Sequence, residues 1–232
     1  MTLLQPKTGY RYNSDSLFLY YFIKKQSNLK GEVLDVGCGC GVVGLLLKRD
    51  FPKINLTALD IQPLNCEITA HNAKKNNLDI KTICADFIDF KSEQKFDFVV
   101  SNPPFYEMGS SSSDLHKNIS RSAHNLEFHN FCKSANSLIK PKGVLYFCYD
   151  PRFLDMILQV LGEYKFKLTK LKFIYPKKSK IAKLALFEAK KSSKSLCEIL
   201  PDLVVMKKRK FSKKAKKIFK IANTKSIDYE RI

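Results

Sequence analysis

The residues best suited to do chemistry are the run Asn102-Pro103-Pro104-Phe105. An exocyclic amine on a nucleobase is a poor nucleophile, because its lone pair is delocalised into the ring. Two hydrogen-bond acceptors aimed at its protons would hold the nitrogen and favour the charge that develops on it. The side-chain oxygen of Asn102 and the backbone carbonyl of Pro103 are such acceptors. Pro103 and Pro104 limit backbone freedom and so fix their direction. The ring of Phe105 can stack on a flipped base. The plainer alternative is a Pro-Pro turn at a strand end.

A second cluster is Asp35-Val36-Gly37-Cys38-Gly39-Cys40-Gly41. Glycines there permit positive φ and close approach of a ligand to the backbone, and a following helix offers free N–H groups. Gly39, Gly41 and Gly44 also spell the G-x-G-x-x-G of dinucleotide sites. In that pattern the first glycine follows the strand directly. Here that residue is Gly37, and the spacing breaks at Val42. The order fits a methyltransferase loop better, with Asp35 ending the strand and Gly37, Gly39 and Gly41 cradling S-adenosyl-L-methionine. A tight turn without a ligand is the plain alternative. Asp60, in Ala58-Leu59-Asp60, can accept both ribose hydroxyls of an adenosine, which serves NAD and S-adenosylmethionine equally. Asp86, in Ala85-Asp86-Phe87, can accept an adenine amino group while Phe87 donates its backbone N–H to a ring nitrogen. Otherwise Asp86 caps a turn or helix. No P-loop lysine pattern is present, which argues against a nucleotide triphosphatase.

These residues need elements to hold them. Residues 14–25 carry Leu17, Phe18, Tyr21 and Phe22 at helical spacing behind a capping candidate, Ser14. Strands are predicted at Glu32–Val36, Ile54–Asp60, Ile80–Cys84, Phe96–Ser101, Gly143–Cys148, Leu171–Tyr175 and Lys183–Ala189. Helices are predicted at Val42–Asp50, Pro63–Asn77, Leu126–Leu138 and Pro151–Leu161, and a polar, serine-rich loop at 109–123. Alternating strands and helices imply an α/β fold with a mostly parallel seven-stranded sheet covered on both faces. No helix separates the last two strands, so they form an antiparallel C-terminal strand pair. Ligands of such sheets sit beyond the carboxyl ends of the strands, where every motif above falls.

A chain of 232 residues, 44% hydrophobic, suffices for one domain with a short appendage. The domain is expected over 1–206, with a basic C-terminal extension over 207–232. No signal-peptide pattern and no spanning apolar run is present, so a soluble, cytoplasmic protein is expected. The seven cysteines are scattered and odd in number, against a disulfide framework. Cys38 and Cys40 lack a second ligand pair, so no metal is expected. Charge is unevenly spread. Residues 1–164 hold 19 Lys+Arg against 17 Asp+Glu, whereas residues 165–232 hold 22 against 5. That asymmetry suggests a polyanionic partner, nucleic acid before membrane, or else a solubilising surface. Lys207, Lys208, Arg209, Lys210, Lys213 and Lys214 head the densest stretch. If helical, Phe211, Ala215 and Ile218 share a face that could dock on the body, leaving the lysines for phosphates. A disordered extension is the alternative.

Taken together, Asp35-x-Gly37-x-Gly39-x-Gly41, Asp60, Asp86 and Asn102-Pro103-Pro104-Phe105 resemble the class I S-adenosylmethionine-dependent adenine-N6 methyltransferases. The resemblance extends to the small bacterial enzymes that modify the adenine beside the anticodon of valine tRNA. Gly9-Tyr10-Arg11-Tyr12-Asn13-Ser14-Asp15-Ser16-Leu17 looks like that family's N-terminal segment, which implies that Asp15 lies near the cofactor. Ser120-Arg121-Ser122-Ala123-His124 is similar to an Ala-Arg-His segment of the family. Tyr175-Pro176-Lys177-Lys178 and Leu186-Phe187-Glu188-Ala189-Lys190-Lys191 match its closing strand pair. The resemblance covers roughly 1–206 and implies a Rossmann-like fold, a tRNA substrate and a monomer or weak dimer. Residue 105 is Phe where tyrosine is commoner, and Phe also occurs in guanine-N2 rRNA methyltransferases. Glutamine methylation of release factors and non-catalytic RNA binding are the remaining alternatives.

Overall fold

The computed structural model describes residues 1–7, 11–103 and 128–229. Gly9, Tyr10, Pro104, Phe105, the 109–123 loop and Ser120–His124 lie outside the described residues. In chain order the first elements are β1 (Thr2–Pro6), α1 (Ser14–Gln26), β2 (Gly31–Val36), α2 (Val42–Asp50), β3 (Ile54–Asp60), α3 (Pro63–Lys75), β4 (Lys81–Cys84) and β5 (Phe96–Ser101). Then follow α4 (Phe128–Leu138), β6 (Ile139–Tyr149), α5 (Leu154–Glu163), β7 (Phe166–Lys177) and β8 (Leu184–Lys191). The last are β9 (Glu198–Ile199), β10 (Leu203–Lys207), β11 (Lys210–Phe211), α6 (Lys213–Ala222) and β12 (Lys225–Tyr229).

All seven expected strands are present, as β2 to β8, and β7 and β8 pair antiparallel as expected. Three short strands extend the sheet to ten, in the order β11-β10-β7-β8-β6-β5-β2-β3-β4 with β9 beside β7. β2, β3, β4, β5 and β6 run parallel, so their carboxyl ends share one edge. Helices cover both faces because the central strands are apolar on both sides. One core lies under α1, α2, α3 and α6, and the other under α4 and α5. The buried positions of α4 are Phe128, Phe131, Cys132, Ser134, Ala135 and Leu138, one stripe at helical spacing. Asn13, one residue before the expected cap, caps α1 by accepting the Asp15 N–H at 2.8 Å. A short 3₁₀ turn at Pro151–Phe153 precedes α5, where one continuous helix was expected.

One feature was not anticipated from the sequence, and a second was foreseen only conditionally. β1 pairs parallel with β12, apart from the main sheet, so residues near both ends of the described chain meet. The basic stretch after Met206 folds as the β10–β11 hairpin and α6. Ala215, Ile218 and Ala222 of α6 are buried, Phe219 stacks on Phe18 of α1 at 5.9 Å, and Phe211 remains exposed. Apolar residues three to four apart bury one side of a helix whose other side is lysine.

Ile218 is the central anchor of that docking. Ile218→Ala should cost about 2–5 kcal/mol of unfolding free energy in urea titrations, whereas exposed Lys216→Ala should stay within about 0.5 kcal/mol. Equal midpoints for both variants would mean that α6 does not pack on the body.

Candidate active site

The carboxyl ends of β2 and β5 are locked together. Ser101, the last residue of β5, is buried and donates its hydroxyl to the Val36 carbonyl at 3.0 Å. This sets Asn102 beside the loop that follows Val36. The loop itself turns on Gly37, Gly39 and Gly41, all with φ between +59° and +78°. Among the described residues, no atom beyond the adjoining residues lies within 4 Å of where a Cβ on Gly37 or Gly39 would stand. At Gly44 the reason for glycine is different. A Cβ there would meet Asp35 Oδ2 at 2.6 Å, where the Gly44 N–H instead donates to that oxygen at 2.9 Å.

Asp35, Gly37, Gly39 and Asn102 line one cleft, together with Tyr12, Ser16, Cys38 and Cys40. The Asn102 amide donates to Ser16 Oγ at 2.9 Å, and its oxygen accepts the Cys148 thiol at 2.8 Å. Those two contacts orient the amide. Pro103, the next residue, is buried. Burial pushes the Asp35 carboxyl up to about 7, with the nearby Asp60 charge adding to the rise and the Gly44 N–H opposing it. Asp15, in the first turn of α1, is also raised by burial, against the hydrogen bonds from Ser14 and Asn13. Asp15 does not line the cleft but lies close enough to Cys148 to raise its thiol further.

Asp60 is buried and already engaged. Its Oδ2 accepts the Gly39 N–H at 2.8 Å, and its Oδ1 accepts the Gln62 N–H at 2.9 Å and the Asn65 amide at 3.1 Å. It therefore braces the loop, and each carboxylate oxygen can accept more than one donor. Asp86 accepts the Ile88 N–H at 2.9 Å, the turn role weighed from the sequence. The Phe87 ring is buried against Phe131 at 5.6 Å. Gly41 begins α2, turned from the cleft, and its missing side chain makes room for Thr69. All six cations are exposed, Lys207, Lys208, Arg209 and Lys210 on the β10–β11 hairpin at the far edge of the sheet and Lys213 and Lys214 in the first turn of α6. Five strand spacings, about 24 Å, separate β11 from β5, which Asn102 follows.

Several site residues escaped the sequence reading. Thr69, Asn72 and Asn76 recur at three- and four-residue intervals on α3 and just past its end. Thr69 donates to the Gly39 carbonyl at 2.8 Å, and Asn72 to the Cys40 carbonyl at 2.9 Å. Asn72 and Asn76 also pair with the backbone of Leu4 and Thr2 in β1. The helical spacing was the available signal. Cys148 offered none, since a buried cysteine in a strand looks like a small apolar residue. Among the described residues no cluster could hold a metal ion, and no helix is long and apolar enough to cross a membrane.

A family model described as the methyltransferase small domain matches residues 13–153, so the chain belongs to that family. The chain is 45% identical over 83 residues to the ribosomal RNA small subunit methyltransferase C of Actinobacillus pleuropneumoniae serotype 3, covering 36% of this chain and 25% of that protein. It thus spans about a quarter of the length of that relative. It is 27% identical over 176 residues to the tRNA1(Val) (adenine(37)-N6)-methyltransferase of Bacteroides thetaiotaomicron, covering 73% of this chain and 72% of the relative. Among solved structures, a predicted O-methyltransferase of Agrobacterium tumefaciens superposes with a TM-score of 0.70 at 15% identity, over 92% of this chain and 99% of that one. The fold is the Rossmann-like one of S-adenosylmethionine-dependent methyltransferases.

The cleft suits that cofactor on two counts. Among the described residues, bare backbone at Gly37 and Gly39 leaves space that a Cβ would fill. Asp35 is desolvated in a way that a positively charged ligand would relieve.

Asp35 also gives the protein a pH signature. The folded carboxyl titrates near 7, the unfolded one near about 4. Between those values the folded state holds the extra proton, so stability falls as pH rises through the window, by up to about 1.4 kcal/mol per unit. Asp35→Asn cannot ionise and lacks this slope. Thermal unfolding of ligand-free protein from about pH 4 to pH 8 should show the variant gaining on the wild type up to neutrality. A gap independent of pH would mean that Asp35 is ionised throughout.

Proposed function

We propose that this chain transfers the methyl group of S-adenosylmethionine to an exocyclic base amine in RNA, with N6 of a tRNA adenine as the target. The observation that carries the reading is that the Asn102 amide and the bare glycine loop line the same cleft. The cofactor supplies a methyl already activated on a sulfonium. In this reading Asp35 faces its positive charge, Asp15 adds its field from the first turn of α1 without lining the cleft, and Gly37, Gly39 and Gly41 shape the loop around it. Asp60 accepts the ribose hydroxyls while bracing Gly39, and Asp86 with the Phe87 N–H reads the adenine. Asn102 Oδ1 and the Pro103 carbonyl accept the two protons of the target amine and hold its nitrogen in line. Pro104 and Phe105, outside the described residues, complete the segment by fixing the turn and stacking on the base. No strong base is required of the chain, because the leaving group is good and the amine proton acidifies once the new N–C bond forms.

Adenine in tRNA is preferred because the tRNA relative matches over most of both chains. A guanine-N2 product is the second reading, favoured by the higher local identity to the rRNA relative and by Phe at 105. Nucleoside mass spectrometry of RNA methylated by the purified protein separates the two. N6-methyladenosine is expected; N2-methylguanosine would transfer the reading to the second, and no labelled nucleoside would remove both. The division at residue 206 is one of role, with 1–206 doing the chemistry and 207–232 gripping RNA.

Asn102→Ala should lower single-turnover methyl transfer on the order of a hundredfold, while calorimetry finds cofactor affinity unchanged. A near-normal rate would exclude Asn102 from the reaction.

The exposed cations of the β10–β11 hairpin give a separate expectation. Replacing Lys207, Lys208, Arg209 and Lys210 with Gln should weaken RNA binding. The slope of log K against log salt should flatten by about 0.7–0.9 for each phosphate no longer neutralised. Identical slopes would place the RNA elsewhere.

A further inference from the structure

A second recess opens between α1 and α6, above β7, β8 and β10. It measures about 640 Å³, counting the part open to solvent. Phe18, Tyr21 and Phe22 of α1 form one wall, and aliphatic side chains of the strands and of α6 complete the lining. Three cations join them, Lys172 from β7 and Lys214 and Lys217 from α6. Lys214 and Lys217 are exposed, and Lys172 is half-buried with its ammonium on the Pro201 carbonyl. Burial and the neighbouring Lys214 charge both hold the Lys172 pKa below the usual lysine value, with Asp202 pulling the other way. Like charges are thus crowded beside an apolar space, an arrangement that an anion would relieve.

The ligand that fits has a flat apolar part and an anionic part close together. A nucleotide has both. The position favours one that belongs to the RNA. α1 starts in the catalytic cleft, where Ser16 holds Asn102 at 2.9 Å. Tyr21 follows about 8 Å further along the same helix. Ile174, in the recess, pairs with Leu184 near the carboxyl end of β7, at the sheet edge that also carries Asn102. Three strand spacings separate β5 from β7, about 14 Å. α6 adds charge continuity, since its outer face carries the lysines already facing solvent.

We propose that this recess is a nucleotide-binding subsite that takes one unpaired nucleotide flanking the methylated one. Its base lies against Tyr21 and Phe22, and its phosphate meets Lys172, Lys214 and Lys217. The inference rests on the reading of the protein as an RNA methyltransferase.

The chain contains no tryptophan, so Tyr21→Trp places a single reporter in the recess wall. Titration with a single-stranded oligoribonucleotide spanning the methylation site, and separately with adenosine 5′-monophosphate, should quench its fluorescence. Inorganic phosphate should not. Tyr21→Ala should lower oligonucleotide affinity about tenfold, the scale of one stacked base. Lys172→Gln with Lys217→Gln should flatten the salt slope by about 0.7 for each phosphate no longer neutralised. The subsite is overturned if the oligonucleotide binds by anisotropy and is methylated, yet the indole fluorescence, the affinity and the slope do not move. Quenching by decanoate but not by the oligonucleotide would also overturn it, in favour of an anionic amphiphile. If the wild type neither binds nor methylates RNA, the functional reading falls and the subsite with it. That failure differs from the first, in which RNA is still bound and methylated.

Discussion

The buried amide of Asn72 donates to the Cys40 carbonyl at 2.9 Å and to the Leu4 carbonyl at 3.0 Å, and accepts the Leu4 N–H at 2.7 Å. One side chain thereby joins the glycine loop, α3 and the edge of β1. A loop rich in glycine has much conformational freedom to lose, and an isolated turn would not keep one shape. Thr69 on the preceding turn and Asp60 from β3 add bonds to Gly39 from two directions. Removing the Asn72 amide would strand backbone groups in the interior, each worth about 1–3 kcal/mol when unpaired. The loop is therefore stiff because its surroundings make it so. β12 lies on the other side of β1. The last described strand is one hydrogen-bonded layer from the element that Asn72 holds.

Electrostatics and geometry act together at this place. Asp35 and Asp60 approach each other, and the Asp60 charge adds to the cost of ionising Asp35. A parallel sheet brings such residues to one edge because β2 and β3 end side by side, with Val36 opposite Leu59. The cost of holding these carboxylates out of water is met partly by backbone N–H groups, at Gly44 for Asp35 and at Gly39 and Gln62 for Asp60. The same groups that stabilise the carboxylates also fix the loop, so charge and shape cannot be changed separately here.

Much of this was legible in the sequence, for identifiable reasons. Strands β2 to β8 announce themselves by apolar runs, and the helices between them by spacing and by Pro63. Asn102 and the glycines were legible because their chemistry depends on residue type. Asn72, Asn76 and Thr69 were not, because each binds a backbone carbonyl or N–H, and a backbone group carries no mark in the sequence. The β1–β12 pairing was hidden by the distance along the chain between Leu4 and Ile227, two short strands with no hairpin turn between them. α6 was foreseen only conditionally. Its buried residues are two alanines and Ile218 among lysines, a face too narrow to show against the charge.

α1 is the element that touches each of these parts. Its first turn supplies Ser16 to Asn102, and its middle packs Phe18 against Phe219 of α6. Beyond its last turn, Ser27 meets the Tyr146 hydroxyl at 2.6 Å, which in turn donates to Glu188 at 2.8 Å. The helix is thus held at both ends and along its length. Lys214 and Lys217 of α6 stand beside Phe18, Tyr21 and Phe22 of α1, the helix whose Ser16 holds Asn102. Through α1 they are linked to it by packed side chains. The basic flank and the cleft thus share one support, so the place of one relative to the other is set by α1.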